Sequence, residues 1–260
     1  MRRVRSAVCI VLALSAVCIV AALLALVWPS SGPASGSEAG SEARRDKTRL
    51  EFEAKYNAWI ETRRRVLAER GYLSYTPAEA QPLELVALGP RIVPFIIEKF
   101  EADLKHNIWG PDNHLRADHQ SVLHKILHKH FPRSEWPAGK FGDHKAEMEL
   151  FVKWWHQGRR ETPRRLAELY EAWRQSLEQG KPQAAQEALE RIRDFGLETL
   201  PFIVQKIEAG DERLVPLVSK IMWKPVGGDK PTRASILAWW KANEKSLRLP
   251  DPPEPPEGKR

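Results

Sequence analysis

The sequence predicts an all-α fold, built as an internal duplication behind an apolar N-terminal segment that reads as a transmembrane helix. Three observations carry this expectation. Apolar residues recur at three- and four-residue spacing, and no stretch of useful length alternates as a half-buried strand does. The same landmarks occur twice, in the same order, between residues 56 and 240. Residues 6–28, Ser6 to Trp28, hold neither a charge nor a proline.

Composition narrows the class further. The chain has 260 residues, enough for about one to two domains. Hydrophobic residues make up 42% and charged residues 29%, which excludes a chain disordered throughout. A mean hydropathy of -0.47 excludes a polytopic membrane protein. The formal charge is +7, but three of the arginines lie in the first five residues, leaving +4 for residues 29–260. That argues against a nucleic-acid partner, which calls for a concentrated basic stripe. The densest clusters, Arg63-Arg64-Arg65 and Arg159-Arg160 with Arg164-Arg165, stand among acidic residues and read as solvated helix faces, with a binding patch as the alternative.

At the N-terminus, residues 1–5 form a basic cytoplasmic tail with Arg2, Arg3 and Arg5, and residues 6–28 form the membrane segment. As a helix the 23 residues reach roughly 34 Å, sufficient for a ~30 Å hydrocarbon core. The opposite flank carries Glu38 and Glu42 and no Lys or Arg before Arg44, so the charge bias puts everything after Trp28 outside the cytoplasm, periplasmic or at the cell surface. A cleavable leader has a shorter apolar stretch of ~7–15 residues, although Gly32 to Gly36 is small enough to be cut; anchor and cleaved leader both stay open. A lipoprotein site is disfavoured by Val17 before Cys18 and by ten uncharged residues after it. Cys9 and Cys18 are the only cysteines, so residues 29–260 have no disulfide, cysteine-ligated metal or thiol nucleophile.

Residues 29–44, rich in Ser, Gly, Ala and Glu, read as a flexible tether. Helical unit one then occupies 45–157. Its first helix carries Phe52, Tyr56, Trp59, Ile60, Val66 and Leu67 and stops before Gly71. A short turn, Leu83 to Leu88, precedes the breaker Gly89-Pro90, and a third helix carries Ile92, Val93, Ile96, Ile97 and Phe100. A fourth helix is expected over 115–131, and a fifth over 144–156 with Met148, Phe151, Val152 and Trp155 on one face. Unit two, 158–249, repeats the scheme from Pro163, whose missing N–H suits a first helical turn. Residues 250–260 hold four prolines after Pro250 and read as an extended, solvated tail.

The duplication is carried by four pairs of landmarks. Tyr56-Asn57-Ala58-Trp59 returns as Tyr170-Glu171-Ala172-Trp173. Gly89 to Ala102 returns as Gly196 to Ala209 with seven of fourteen positions identical. Val122 to Ile126 returns as Leu217 to Ile221, and Trp154-Trp155 as Trp239-Trp240. The offset falls from 114 to 85, so unit one is 29 residues longer, spread over its loops.

Within this frame, Leu88 to Ile96 (LGPRIVPFI) and Phe195 to Ile203 (FGLETLPFI) resemble the inner part of HEAT-type repeats. There a short helix ends at glycine and a second begins with an apolar residue, proline and more apolar residues. Asp211 to Val218 (DERLVPLV) looks like the start of a following repeat. The resemblance covers roughly 83–131 and 183–222 and leaves out the first and fifth helices of each unit. It implies an α-solenoid, a stack of helices that presents a surface to partners, and it carries over no catalytic residue.

All eight histidines fall between His106 and His156. At about 100° per residue, His119 and His130 fall on the buried side of the fourth helix, and His124 and His128 on its outer side. The latter are an i,i+4 pair that could chelate a metal such as Zn²⁺ if a third ligand arrives. His114 is the third ligand named here, with His106, Asp112 and His144 also within the neighbouring insertions. The alternative is a solvated pair with no cofactor. Trp109 and Trp136, in insertions near proline, could stack on sugar rings and form a glycan-binding module. No His-Glu-x-x-His, Gly-x-Ser-x-Gly or Gly-x-x-x-x-Gly-Lys occurs, so no enzyme class is indicated. The sequence thus points to a membrane-anchored, extracytoplasmic, non-catalytic protein-interaction scaffold, with exterior metal-binding or glycan-binding modules as alternatives.

Overall fold

The computed structural model describes residues 38–70, 82–106 and 118–251, and the secondary structure among them is entirely helical. The chain divides into two compact units, Met1–Asp46 and Lys47–Arg260; the packing below is that of the second. The expected membrane segment at 6–28 and the tail from Pro252 onward lie outside the described residues. Among the described residues, no helix is long and apolar enough to cross a membrane.

Helix α1 (Glu38–Arg70) begins inside the segment expected to be a tether. Its inward face, Phe52, Tyr56 and Trp59, is a run of ring contacts that opens a first core, with Phe52 tilted against Phe95. Arg63 follows on the same face and is 3% exposed, its guanidinium 5.4 Å from the Trp59 ring; one of the arginines read as solvated is therefore buried. Pairs from α1 to α3, Arg49–Glu98 at 2.7 Å and Lys99–Glu53 at 2.9 Å, are partly exposed. Each is worth about 0–1 kcal/mol.

The first core continues through α2 (Leu83–Val86), a 3₁₀ turn (Gly89–Ile92), α3 (Val93–His106), α4 (Asp118–Leu127) and α5 (His144–Lys153). Asp143 caps α5 by accepting a hydrogen bond from the Ala146 N–H. Phe52, Ile92, Phe100, Leu123 and Phe151 are completely buried there. Each such side chain contributes about 1.5–3 kcal/mol by leaving water.

A second core gathers on α6 (Arg159–Glu178), α7 (Pro182–Asp194), a 3₁₀ turn (Gly196–Thr199), α8 (Leu200–Glu208), α9 (Val215–Met222) and α10 (Arg233–Leu247). Helix α6 buries Leu166, Leu169, Tyr170 and Trp173, one stripe at helical spacing, and packs along α7. Helix α10 starts with a capping box between Thr232 and Ser235, worth about 1 kcal/mol. Leu249, beyond α10, returns to the first core, and the Pro250 carbonyl accepts a hydrogen bond from Arg159 at 2.6 Å.

Two glycines set up matching entries. Gly89 (φ 69°) and Gly196 (φ 64°) both adopt left-handed backbone ahead of a 3₁₀ turn. In both cases the following helix carries proline as its second residue, Pro94 in α3 and Pro201 in α8, where a missing N–H costs nothing.

The junction between the cores differs from expectation. The helix expected over 144–156 does not end there: α5 passes into a π turn, Trp154–Gly158, and runs on into α6. Pro163 is therefore the fifth residue of α6 and not in its first turn. Its ring removes the bond to the carbonyl four residues back, and the wider turn just upstream lies where the helical register has to adjust. The same turn buries Trp154 as well as Trp155.

Candidate functional site

The place where the two cores meet is built around the end of α4. Val122, Leu123, Ile126 and Leu127 hold that helix in the first core. The helix was expected to reach Phe131 but stops at Leu127, and His128 takes left-handed backbone, φ 51°. Gly196 packs closely against this point: a Cβ there would lie 2.1 Å from the Leu127 carbonyl oxygen. Just beyond, the His130 N–H donates to the Asp194 carbonyl at 2.9 Å.

Breaking the helix at His128 inverts the expected sidedness. His130, expected inside, is exposed, and Lys129 turns inward with 5% exposure. Its ammonium lies 4.8 Å from the Phe195 ring, 5.2 Å from Phe131 and 5.4 Å from Trp154. Its counter-ion is Glu198, 3.7 Å away and also buried. Glu198 accepts from the Trp154 indole N–H at 2.6 Å and pairs with Arg159 at 3.3 Å. Burial pushes the Lys129 ammonium below its ordinary pKa, and Glu198 opposes that shift. One carboxylate thus faces two cations, one from each side of the junction. Arg159, like Arg63, is not the solvated residue its sequence neighbourhood suggested.

The histidines take separate parts. His124 is half-buried, with Nδ1 2.9 Å from the Lys129 carbonyl and Nε2 2.8 Å from the Glu147 carboxylate. Burial disfavours its charged form, but Glu147 and the carbonyl outweigh that and hold its pKa above the ordinary value. His128 lies just past the end of α4 in left-handed backbone, its N–H still donating to the His124 carbonyl at 2.8 Å. Burial, Lys224 and His130 together lower its pKa to about 4. His114 lies outside the described residues, and His119 has no described side chain. Among the described residues, no group of three His, Cys, Asp or Glu is arranged to hold a metal ion.

Trp109 lies outside the described residues. Trp136 donates its indole N–H to the Phe131 carbonyl at 3.1 Å and is covered by Phe141, ring centres 5.2 Å apart. Its polar handle and one face are thus engaged within the chain. Among the described residues, the exposed tryptophan is Trp223, which caps α9 in left-handed backbone, φ 53°. Its ring lies 4.7 Å from His128 and 5.5 Å from His130, stacked on the latter.

Beside this stack a cleft of about 270 Å³ opens between the two cores. Lys129, His130 and Glu135 line it from the first side, and Arg165, Arg191 and Phe195 from the second. A hollow of about 250 Å³ shares Arg165, Leu169 and Arg191 with it and extends along α6 to Ala172. Arg165 pairs with Glu135 at 2.7 Å, Asp194 with Arg193 at 3.0 Å, and Glu168 with Arg164 at 2.6 Å. Arg191 is exposed and has no ion-pair or hydrogen-bond partner among the described residues.

Sequence reasoning singled out none of Lys129, Glu198, Arg165 and Arg191 as site residues. One signal was present: the duplicated segment sets Glu198 against Arg91, a charge reversal within otherwise similar stretches. Comparison with protein-family models, curated proteins and solved structures finds no match.

Proposed function

We propose that this chain is a non-catalytic, HEAT-like helical-repeat scaffold that presents the cleft between its two cores to a protein partner. Residues 6–28 hold it to a membrane, with everything after Trp28 on the extracytoplasmic side. The observation that carries the scaffold reading is the recurrence of one entry scheme in two cores: left-handed glycine, 3₁₀ turn, then a helix with proline second, at Gly89–His106 and again at Gly196–Glu208. A third helix, α9, also follows a 3₁₀ turn and carries Pro216 second. Repeated helical layers of this kind bury their apolar faces on one another and leave extended surfaces between them. The cleft is such a surface, and its walls come from both cores.

The membrane part rests on the arginines at one end of an uncharged run, and a reporter active only outside the cytoplasm, fused after Arg260, should be active. For the scaffold itself, a photo-crosslinking amino acid replaces the exposed Ala172, which lines the hollow along α6, in the full chain in its native membrane, with position 241 as control. A discrete adduct from 172 that is absent from 241 supports the proposal. No adduct from 172, or the same adducts from both positions, contradicts it.

A further inference from the structure

We infer that the cleft over Arg165 and Arg191 takes an extended acidic peptide segment of the partner, with the Trp223–His130 stack as its aromatic lip; this rests on the scaffold reading above. The charge pattern comes first. Of the charged groups in the two hollows, Arg165, Glu135, Asp194 and Glu168 each have a counter-ion within the chain, and Lys129 faces Glu198. Arg191 has none among the described residues, so the charge left over for a ligand is a guanidinium, whose planar fork of donors matches a carboxylate. A single unpaired cation is too little for a nucleic-acid backbone, which needs several phosphate contacts.

The shape comes second. The two hollows share Arg165, Leu169 and Arg191, so they form one trough along α6 with Leu169, Ala172 and Phe195 as apolar lining. A trough of this form suits an extended chain whose side chains point alternately inward and outward.

The third observation is independent of charge. Trp223 is 52% exposed in a backbone conformation that costs a non-glycine residue roughly 1–2 kcal/mol. The fold gains little burial from it there. Instead the ring stands on His130, which lines the cleft, and on His128. Both imidazoles are held below their ordinary pKa, burial being the larger cause in each, so the lip is uncharged near neutral pH. An exposed tryptophan stacked on a residue of the cleft wall, with an arginine elsewhere in the same lining, supplies the two residue types that most often anchor protein interfaces.

The test uses the full chain in detergent and two fluorescein-labelled octapeptides, one alternating Glu and Tyr, the other alternating Lys and Tyr, read by fluorescence anisotropy. The Glu/Tyr peptide should bind and the Lys/Tyr peptide should not. Arg191→Glu should weaken binding at least tenfold, Arg191→Gln by less, and Trp223→Ala about threefold or more. Lys241→Glu, an equal charge change outside the cleft, should leave it unchanged. Equal binding of both peptides, no binding of either, or an Arg191→Glu variant within twofold of the parent overturns the acidic-peptide assignment. The crosslink from position 172, which leaves Arg191 in place, stands or falls separately, which distinguishes failure of this inference from failure of the scaffold reading.

Discussion

Among the described glycines, Gly196 leaves the least room for a Cβ. It combines left-handed backbone with a Cβ position 2.1 Å from the Leu127 carbonyl oxygen, a contact with backbone that no side-chain rotation can relieve. Gly139 has a similar φ of 73° with nothing within 4 Å. Alanine at Gly139 should cost about 1–2 kcal/mol for the backbone alone. Alanine at Gly196 should cost clearly more, about 3 kcal/mol or above, as expected for overpacking added to strain. Urea unfolding of both variants measures the difference; equal costs would show that the approach of Gly196 to α4 is not there. His128 makes a second residue-level case. Burial and the neighbouring Lys224 and His130 lower its pKa from the ordinary 6.5 to about 4 in the folded chain, so between these values the unfolded chain binds more protons. Its contribution to stability is therefore present above about pH 6.5 and is lost as pH falls toward 4. His124 acts in the opposite sense: its raised pKa contributes stability that is full below pH 6.5 and fades as pH rises through the folded value. Imidazole NMR titrations should show His128 moving down and His124 moving up, and Glu147→Gln should remove the upward shift of His124 while leaving His128 in place.

At the scale of elements, helix starts were more legible than helix ends. Pro94 and Pro201 announce the starts of α3 and α8, because fixed φ and a missing N–H suit a first turn wherever the chain goes next. The end of α4 is not written in its own residues. Val122, Leu123, Ile126 and Leu127 continue naturally toward Phe131 on a helical wheel, and the helix ends where Gly196, nearly seventy residues on, packs against its last carbonyl. The same holds for Pro163, whose place in α6 depends on the π turn before it. The candidate site inherits this: once α4 ends at Leu127, Lys129 turns in and meets Glu198 across the junction. That ion cluster makes a sharp prediction. Glu198→Ala leaves two buried cations without their carboxylate and should destabilise by about 3–5 kcal/mol. Lys129→Met keeps the apolar contacts with Phe195, Phe131 and Trp154 and leaves Glu198 with Arg159 and the Trp154 N–H, so it should change stability by no more than about 1 kcal/mol, in either direction. Thermal unfolding of the two variants checks the asymmetry; a Lys129→Met loss as large as that of Glu198→Ala would mean that the ammonium, and not the carboxylate, is the keystone.

At the scale of the molecule, two cores are joined by a helix that does not break, by Leu249 returning to the first core, and by the Lys129–Glu198–Arg159 cluster. These joints matter for function because the cleft takes its walls from both sides. It is preformed only if the cores move together; otherwise a partner would have to bring Lys129 and His130 to Arg165 and Arg191 at the expense of its own binding energy. Scanning calorimetry of the full chain in detergent tests this most directly. A single unfolding transition whose calorimetric and van't Hoff enthalpies agree, and which separates into two in Glu198→Ala, is the expected result. Two independent transitions in the unaltered chain would contradict it, leaving two separate helical bundles and no built cleft between them.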